Sequence, residues 1–207
     1  YGLVGSEMCI RDREHIMANI TIFGQGNMGQ AIASVFTSGG HEVDFVGKEG
    51  LTKRAGDIVV LAVPYAAIAS ILEANKAALA GKILVDISNP VNFENMDELL
   101  TPAGSSAAEE IAKLIPEARV VKAFNTNFAA TIASKQVAGK EKTTVQLASA
   151  DQEAKKILAG YIQEGGLDTI DAGGLKRARE LEAMGFLQIT LAVREEINWT
   201  AGFAVIK

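Results

Sequence analysis

A short apolar segment, a glycine-rich turn and an amphipathic segment follow one another near residue 20, and this succession constrains the fold most. Residues 20–23 are apolar and β-branched, which predicts a buried strand. Residues 24–29 form the glycine-rich turn, and residues 30–37 carry apolar side chains at helical spacing until Gly39 and Gly40. A strand joined to a helix by a short turn is typical of α/β proteins.

The rest of the chain repeats this alternation. Residues 58–63 (IVVLAV) are almost continuously apolar, as expected for a parallel strand that is covered on both faces. Further strands are predicted at 42–46, 82–87, 119–124, 143–148 and 167–171, and helices at 65–79, 105–115, 128–134, 151–163 and 175–197, with Ser105 and Asp151 as N-caps. We therefore predict one α/β domain over residues 17–207: a Rossmann-like, doubly wound, mainly parallel sheet with a C-terminal helical segment and an extended tail.

The composition of the chain restricts the classes of partner and of structural site that we expect. Apolar residues make up 48% of the 207 residues and charged residues 22%, which is enough for a real core. Lys and Arg number 20 against 25 Asp and Glu, so no basic patch indicates nucleic acid. The longest apolar stretch contains Pro64 and is too short to cross a bilayer. The one cysteine argues against a disulfide framework or a cysteine-rich metal site.

Residues 1–16 differ in character from the rest of the chain. SEMCIRDR resembles a translated sequencing adaptor, so we expect a non-native extension and a natural start at Met17; a genuine short arm is the alternative. The segment lacks the pattern of a secretion signal, and we expect a cytoplasmic protein.

The glycine-rich turn has the pattern G-x-G-x-x-G between a predicted strand and a predicted helix, as a dinucleotide-binding site requires. Gly24 would permit the tight turn, Gly26 the approach of a diphosphate, and Gly29 close helix–strand packing. The free N–H groups of the helix N-terminus favour the phosphates. The predicted diphosphate site comprises Gly24, Gln25, Gly26, Asn27, Met28 and Gly29.

The end of the second strand decides between NADPH and NADH. An acidic side chain there would bind the ribose hydroxyls and repel a 2′-phosphate. Phe45 and Val46 continue the strand beyond Asp44, so we expect the end at Gly47 and Lys48, where a small residue and a cation suit the 2′-phosphate. We predict NADPH, with Asp44 and NADH as the alternative.

Two more segments follow predicted strands, where ligands of open α/β sheets gather. The backbone of Ala62, Val63, Pro64 and Tyr65 would line the adenosine and ribose path. Asn89, followed by Pro90, would hydrogen-bond near the nicotinamide. Simple turn chemistry is the alternative for both segments.

These residues resemble a known family. The runs ITIFGQGNMGQAIA, GHEVDFVGK, DIVVLAVPY, DISNP and VVKAFNT have the order and spacing of the NADP-binding domain of F420-dependent NADP reductases, and they are also similar to the oxidoreductase domain of the STEAP metalloreductases. The resemblance implies NADP(H) across the strand ends, a deazaflavin (F420) or flavin as second substrate, and Ala123 and Asn125 beside the nicotinamide. The sequence departs from the family between Lys48 and Asp57, where a helix and a strand are missing.

Few side chains qualify as acids or bases, and we assign no catalytic residue. Tyr65 and Lys122 are the possible proton donors, whereas His41 lies at the wrong end of the sheet. Hydride transfer to a flavin-like ring needs little more than orientation and exclusion of water, because the cofactors carry the chemistry. Lys176, Arg177 and Arg179 are expected to be solvated surface charges, with binding of an anionic acceptor as the alternative. Met184, Phe186 and Leu187 are expected to pack in the core or at a dimer interface, with the wall of an acceptor pocket as the alternative.

The sequence leaves three functions open. The first is hydride transfer between NADP(H) and a flavin-like or deazaflavin acceptor. The second is reduction of small imines or carbonyls, and the third is a non-catalytic dinucleotide-binding module. A homodimer through residues 175–197 is a further expectation.

Overall fold

Strands of nearly unbroken apolar sequence form the centre of the molecule. The structure, a computed structural model, describes residues 17–207, so the expectation about residues 1–16 lies outside it. Nine strands occur in the described range: β1 Asn19–Phe23, β2 Glu42–Val46, β3 Ile58–Leu61, β4 Ile83–Asp86, β5 Arg119–Lys122, β6 Gln136–Val137, β7 Glu141–Lys142, β8 Thr144–Ser149 and β9 Asp168–Gly173. All residues of β3 and β4 are buried, as parallel strands covered on both faces require.

Residues 17–207 contain six α-helices, of which five lie between strands and the last follows β9. They are α1 Asn27–Ser38, α2 Tyr65–Leu79, α3 Ala107–Leu114, α4 Ala129–Ser134, α5 Gln152–Glu164 and α6 Ala178–Val193, with a short 3₁₀ helix at Leu175–Arg177. One helix layer (α1, α4 and α5) covers one face of the sheet around Ile32, Ile132 and Leu158. The second layer (α2 and α3) covers the other face around Leu72 and Ile111.

The sheet has seven strands in the order β2-β1-β3-β4-β5-β8-β9. Its pairs are parallel except β5–β8, which confirms the predicted doubly wound α/β fold. The strand order reverses beside β1, whose neighbours are β2 and β3. Ligands of such sheets bind at the carboxyl ends of the strands next to that reversal.

Several boundaries differ from the sequence-based expectation. β3 ends at Leu61 rather than residue 63 because the chain turns towards Pro64, which precedes α2. The N-cap of α3 is Ser106 rather than Ser105, since its hydroxyl accepts the Glu109 N–H. The long helix predicted at 175–197 is a 3₁₀ turn followed by α6, which ends at Val193, and the final residues have no regular structure.

Candidate functional site

The glycine-rich turn lies between the end of β1 and the start of α1, and its three glycines have different surroundings. A Cβ on Gly24, whose φ is +101°, would lie 2.1 Å from the Ala62 main-chain oxygen. A Cβ on Gly29 would lie 2.3 Å from the Gly24 oxygen. At Gly26 no atom of the described chain, apart from the glycine itself and its two neighbours in sequence, lies within 4 Å of that position. Two glycines therefore permit close packing, and the third leaves open space for a ligand.

The N-terminus of α1 offers main-chain N–H groups to that space. Gly26 is the N-cap, and within residues 17–207 no side chain caps the helix and no acidic residue occupies its first turn. The first N–H groups of a helix lack intrahelical partners and favour an anion. The turn therefore fits a diphosphate group, as the sequence predicts.

The end of β2 carries an acidic residue that the sequence analysis missed. β2 continues through Val46, so Asp44 lies inside the strand as predicted, with a carboxylate oxygen 2.7 Å from Lys53 Nζ. The Gly47 N–H donates to Glu49 Oε1 over 2.9 Å. Hydrogen bonds from the N–H groups of Glu49 and Gly47 lower the pKa of the Glu49 carboxyl. A 2′-phosphate at Gly47 would have to displace the Glu49 carboxylate. The exposed Lys48 ammonium, in contrast, would attract the phosphate.

A cavity of about 610 Å³ opens at the carboxyl ends of β3, β4 and β5. Its walls are mainly apolar and aromatic: the Phe128 and Trp199 ring centroids lie 4.8 Å apart, and Phe93 is 68% exposed. A volume of this order accommodates a cofactor or drug-sized ligand. The lining residues are Asn27, Met28, Ala62, Val63, Pro64, Tyr65, Ile87, Ser88, Asn89, Phe93, Asn125, Asn127, Phe128, Ala129, Ala130, Ile189 and Trp199.

The cavity contains half of the residues that the sequence analysis assigned to the site. Asn27, Met28, Ala62, Val63, Pro64, Tyr65, Asn89 and Asn125 line it. The other eight are not among the lining residues: Gly24, Gln25, Gly26 and Gly29 belong to the adjoining turn, Gly47 and Lys48 lie at the end of β2, and Pro90 and Ala123 are buried.

Asn89 and Asn125 form a pair at the floor of the cavity. Asn89 Nδ2 donates to the Asn125 main-chain oxygen over 2.8 Å, and Asn125 Nδ2 donates to Asn89 Oδ1 over 2.9 Å. Asn125 also donates to the Leu181 oxygen of α6. A Cβ on Gly185 would lie 2.3 Å from Asn89 Oδ1, so this glycine allows α6 to approach the pair.

Three buried polar atoms of lining residues lack a hydrogen-bond partner within the described chain: Ser88 Oγ, Asn125 Oδ1 and Asn127 Oδ1. Burying such atoms without a partner costs about 1–3 kcal/mol each. Phe124, whose φ of +64° is unusual for a bulky residue, turns the chain directly before Asn125. These three lining residues therefore have hydrogen-bonding capacity that the described chain does not use.

Lys122 is neither at the surface nor in the cleft, the two placements that the sequence left open. It is fully buried, and its Nζ lies 2.8 Å from Asp86 Oδ2 and 2.8 Å from Glu182 Oε1. We call Asp86, Lys122 and Glu182 the buried triad. Burial raises the pKa of Glu182, and burial together with the nearby carboxylates raises the pKa of Tyr65.

The remaining candidates lie away from the cavity. Arg179 makes a two-pronged pair with Glu109, with both N–O distances at 2.8 Å. Lys176 and Arg177 are exposed, and Ile189 of α6 lines the cavity rather than Met184, Phe186 or Leu187. His41 precedes β2 at the opposite end of the sheet and lies 2.9 Å from Glu164.

Comparison with known proteins is consistent with this geometry. The family model for NADP oxidoreductase, coenzyme F420-dependent, matches residues 44–90. An F420-dependent NADP reductase from Methanocaldococcus jannaschii is 31% identical over 166 residues, covering 78% of this chain and 74% of that protein. The chain belongs to the F420-dependent NADP reductase family.

A solved structure extends the family resemblance to the whole described fold. A candidate F420-dependent NADP reductase from Arthrobacter sp. FB24 matches with a TM-score of 0.79 at 27% identity, covering 92% of this chain and 100% of that chain. The metalloreductase STEAP3 of Rattus norvegicus is 28% identical over 204 residues, covering 88% of this chain and 39% of STEAP3. The family assignment confirms the resemblance seen in the sequence and makes the chain an NADP oxidoreductase by family.

Residues 17–207 contain neither a candidate membrane span nor a candidate metal cluster. In this range no helix combines the length and the apolar character that crossing a membrane demands. Within the same range, no cluster of three or more His, Cys, Asp or Glu side chains is placed to hold a metal ion.

Proposed function

We propose that this member of the family transfers hydride between NADP(H) and a flavin-like or deazaflavin (F420-type) acceptor. The observation that carries the proposal is a site of two adjoining parts: Asn27 and Met28 begin α1 directly after the open space at Gly26, and both also line the apolar cavity. The first part fits a diphosphate, and the second fits planar rings. We propose NADPH rather than NADH because Lys48 follows β2 directly after Gly47.

The composition of the cavity supports a ring acceptor. Among its lining residues in the described chain, Tyr65 alone is titratable. Reduction of a carbonyl usually needs a proton donor beside the oxygen, and Tyr65 is the one candidate for that role among the lining residues in the described chain. When bound, the nicotinamide supplies the hydride, and the chain's own residues orient the two rings and exclude water. Aromatic walls at Phe128 and Trp199 suit that task.

One assay separates the alternatives. The protein is mixed with NADPH and, in turn, FMN, riboflavin, F420 and small carbonyls or imines, and consumption of NADPH is followed by its absorbance. Oxidation with the ring acceptors alone supports the proposal. Oxidation with carbonyls or imines supports the second function, and binding without turnover supports a dinucleotide-binding module. The cytoplasmic location and the boundaries of the natural protein stay predictions.

A further inference from the structure

The buried triad lies directly beneath the cavity. Asp86 and Lys122 are fully buried and Glu182 is 1% exposed. Removing one lysine and two carboxylates from water is costly, and such a group is retained only with well-formed hydrogen bonds. Each of the three side chains of the triad has several hydrogen-bond or ion-pair partners, which indicates a positioning role in addition to packing.

The triad holds the main chain of the cavity wall at Ser88. The Ser88 N–H donates to Asp86 Oδ1 over 2.9 Å. The Lys122 ammonium donates to the Ser88 main-chain oxygen. Both polar main-chain groups of Ser88 are therefore fixed by the triad, and Ser88 and the neighbouring Asn89 line the cavity.

The triad also connects α6 and α3 to that wall. Glu182 of α6 accepts from the N–H groups of Ala107, over 2.9 Å, and Ala108, over 3.4 Å, in the first turn of α3. The positive end of the α3 dipole offsets part of the second negative charge. A change at Lys122 would consequently shift β4, α3 and α6 relative to one another.

We propose that Lys122 is a positioning residue that sets the ring-binding part of the cavity, whereas the diphosphate turn is independent of it. This inference rests on the proposed function. The triad contacts Ser88 and α6, and within residues 17–207 it makes no hydrogen bond to residues 24–29. Loss of the triad should therefore weaken binding of the nicotinamide half and spare the adenosine half.

The test is calorimetric titration with NADP⁺ and with 2′,5′-ADP, which lacks the nicotinamide. The variants are Lys122→Met and the combined Asp86→Asn, Lys122→Met and Glu182→Gln, which removes all three charges at similar volume. The combined variant is included because Lys122→Met alone leaves two buried carboxylates without their cation. Lys155→Met is the matched control: Lys155 is also buried, but it pairs with Asp171 and the Gly173 oxygen outside the cavity.

For the combined variant we expect binding of NADP⁺ to weaken by about 10–100-fold, with 2′,5′-ADP unchanged within about two-fold. Lys155→Met should bind both as the wild type does. Retained NADP⁺ affinity, or equal weakening for both ligands, would overturn the inference while leaving the proposed function intact. Failure of the wild type to bind NADP⁺ would overturn the proposed function and the inference together.

Discussion

At the residue scale, the sequence predicts the roles of three glycines of the site but not that of the fourth. Gly24, Gly26 and Gly29 form a local motif whose neighbours are set by a strand and a helix adjacent in sequence. Gly185 is a lone glycine inside a helix, and only the fold shows that it faces Asn89. The sequence indicated a role for Gly185 only through its position inside an apolar helix, since a glycine there usually permits close packing.

Substitution of Gly185 by alanine tests that contact. The new methyl group would lie 2.3 Å from Asn89 Oδ1, so the Asn89–Asn125 pair must open or α6 must shift. We expect the free energy of unfolding to fall by about 1–3 kcal/mol and NADP⁺ binding to weaken. Urea denaturation and calorimetry measure the two effects.

Gly160→Ala in α5 is the control for that substitution, because no described atom lies within 4 Å of its Cβ position. It should raise stability by about 0.5–1 kcal/mol through helix propensity and leave binding unchanged. Equal behaviour of the two variants would contradict a role for Gly185 in the site.

Glu49 yields the second prediction at this scale. The Glu49 carboxylate accepts a hydrogen bond from the Gly47 N–H, so its negative charge should repel a 2′-phosphate bound at Gly47. Glu49→Gln should therefore lower the KM for NADPH by about two- to five-fold, as loss of one exposed like charge does, with the KM for NADH unchanged. Glu141→Gln, on exposed β7, serves as control. A rise in the KM for NADH would show instead that Glu49 binds a ribose hydroxyl.

At the element scale, local patterns sufficed for most helices and strands. Glu42–Val46 and Tyr65–Leu79 occur as predicted, because an apolar or amphipathic run ends there at a clear turn. The hairpin of β6 and β7 was missed, since each strand has two residues and the turn depends on positive φ at Ala138 and Gly139. The buried triad was also missed, because Asp86 and Lys122 are 36 residues apart and meet only through strand pairing.

Asp151 links two elements and makes stability depend on pH. It caps α5 and pairs with Arg119 of β5, with an N–O distance of 2.6 Å. Hydrogen bonds from Arg119 and from the Ala154 N–H lower the pKa of Asp151 to about 2. Because the folded pKa lies below the unfolded value of about 3.9, this stabilisation is complete above pH 4–5 and is lost as pH falls towards 2.

The variant Asp151→Asn keeps the cap but removes the charge. Since the pair is partly exposed, solvent screening limits the expected loss to about 0.5–1 kcal/mol at pH 7. The difference from wild type, measured by urea denaturation, should shrink as pH is lowered from 5 to 3. Glu153→Gln, which removes the more exposed partner of Arg119, should cost less. A difference that stays constant down to pH 3 would contradict the assignment.

At the scale of the whole molecule, the C-terminal part of the chain leaves several apolar side chains exposed. Leu187 and Val193 of α6 are each 52% exposed, and Ile206 of the tail is 80% exposed. A contiguous exposed apolar patch commonly marks a protein–protein interface, whereas single exposed apolar side chains are ordinary. The homodimer through residues 175–197 stays a prediction, and substitution of the exposed side chains of α6 tests it.

If α6 forms that interface, the wild-type protein should sediment as a dimer of the 21.9 kDa chain. Leu187→Glu combined with Val193→Glu should give a monomer, because burying two unpaired carboxylates at an interface costs more than the apolar contact contributes. Leu114→Glu is the control: Leu114 is 50% exposed on α3 and lies outside that helix, so its variant should remain dimeric. Sedimentation of the wild type as a monomer would remove the interface and leave the cavity formed by one chain alone.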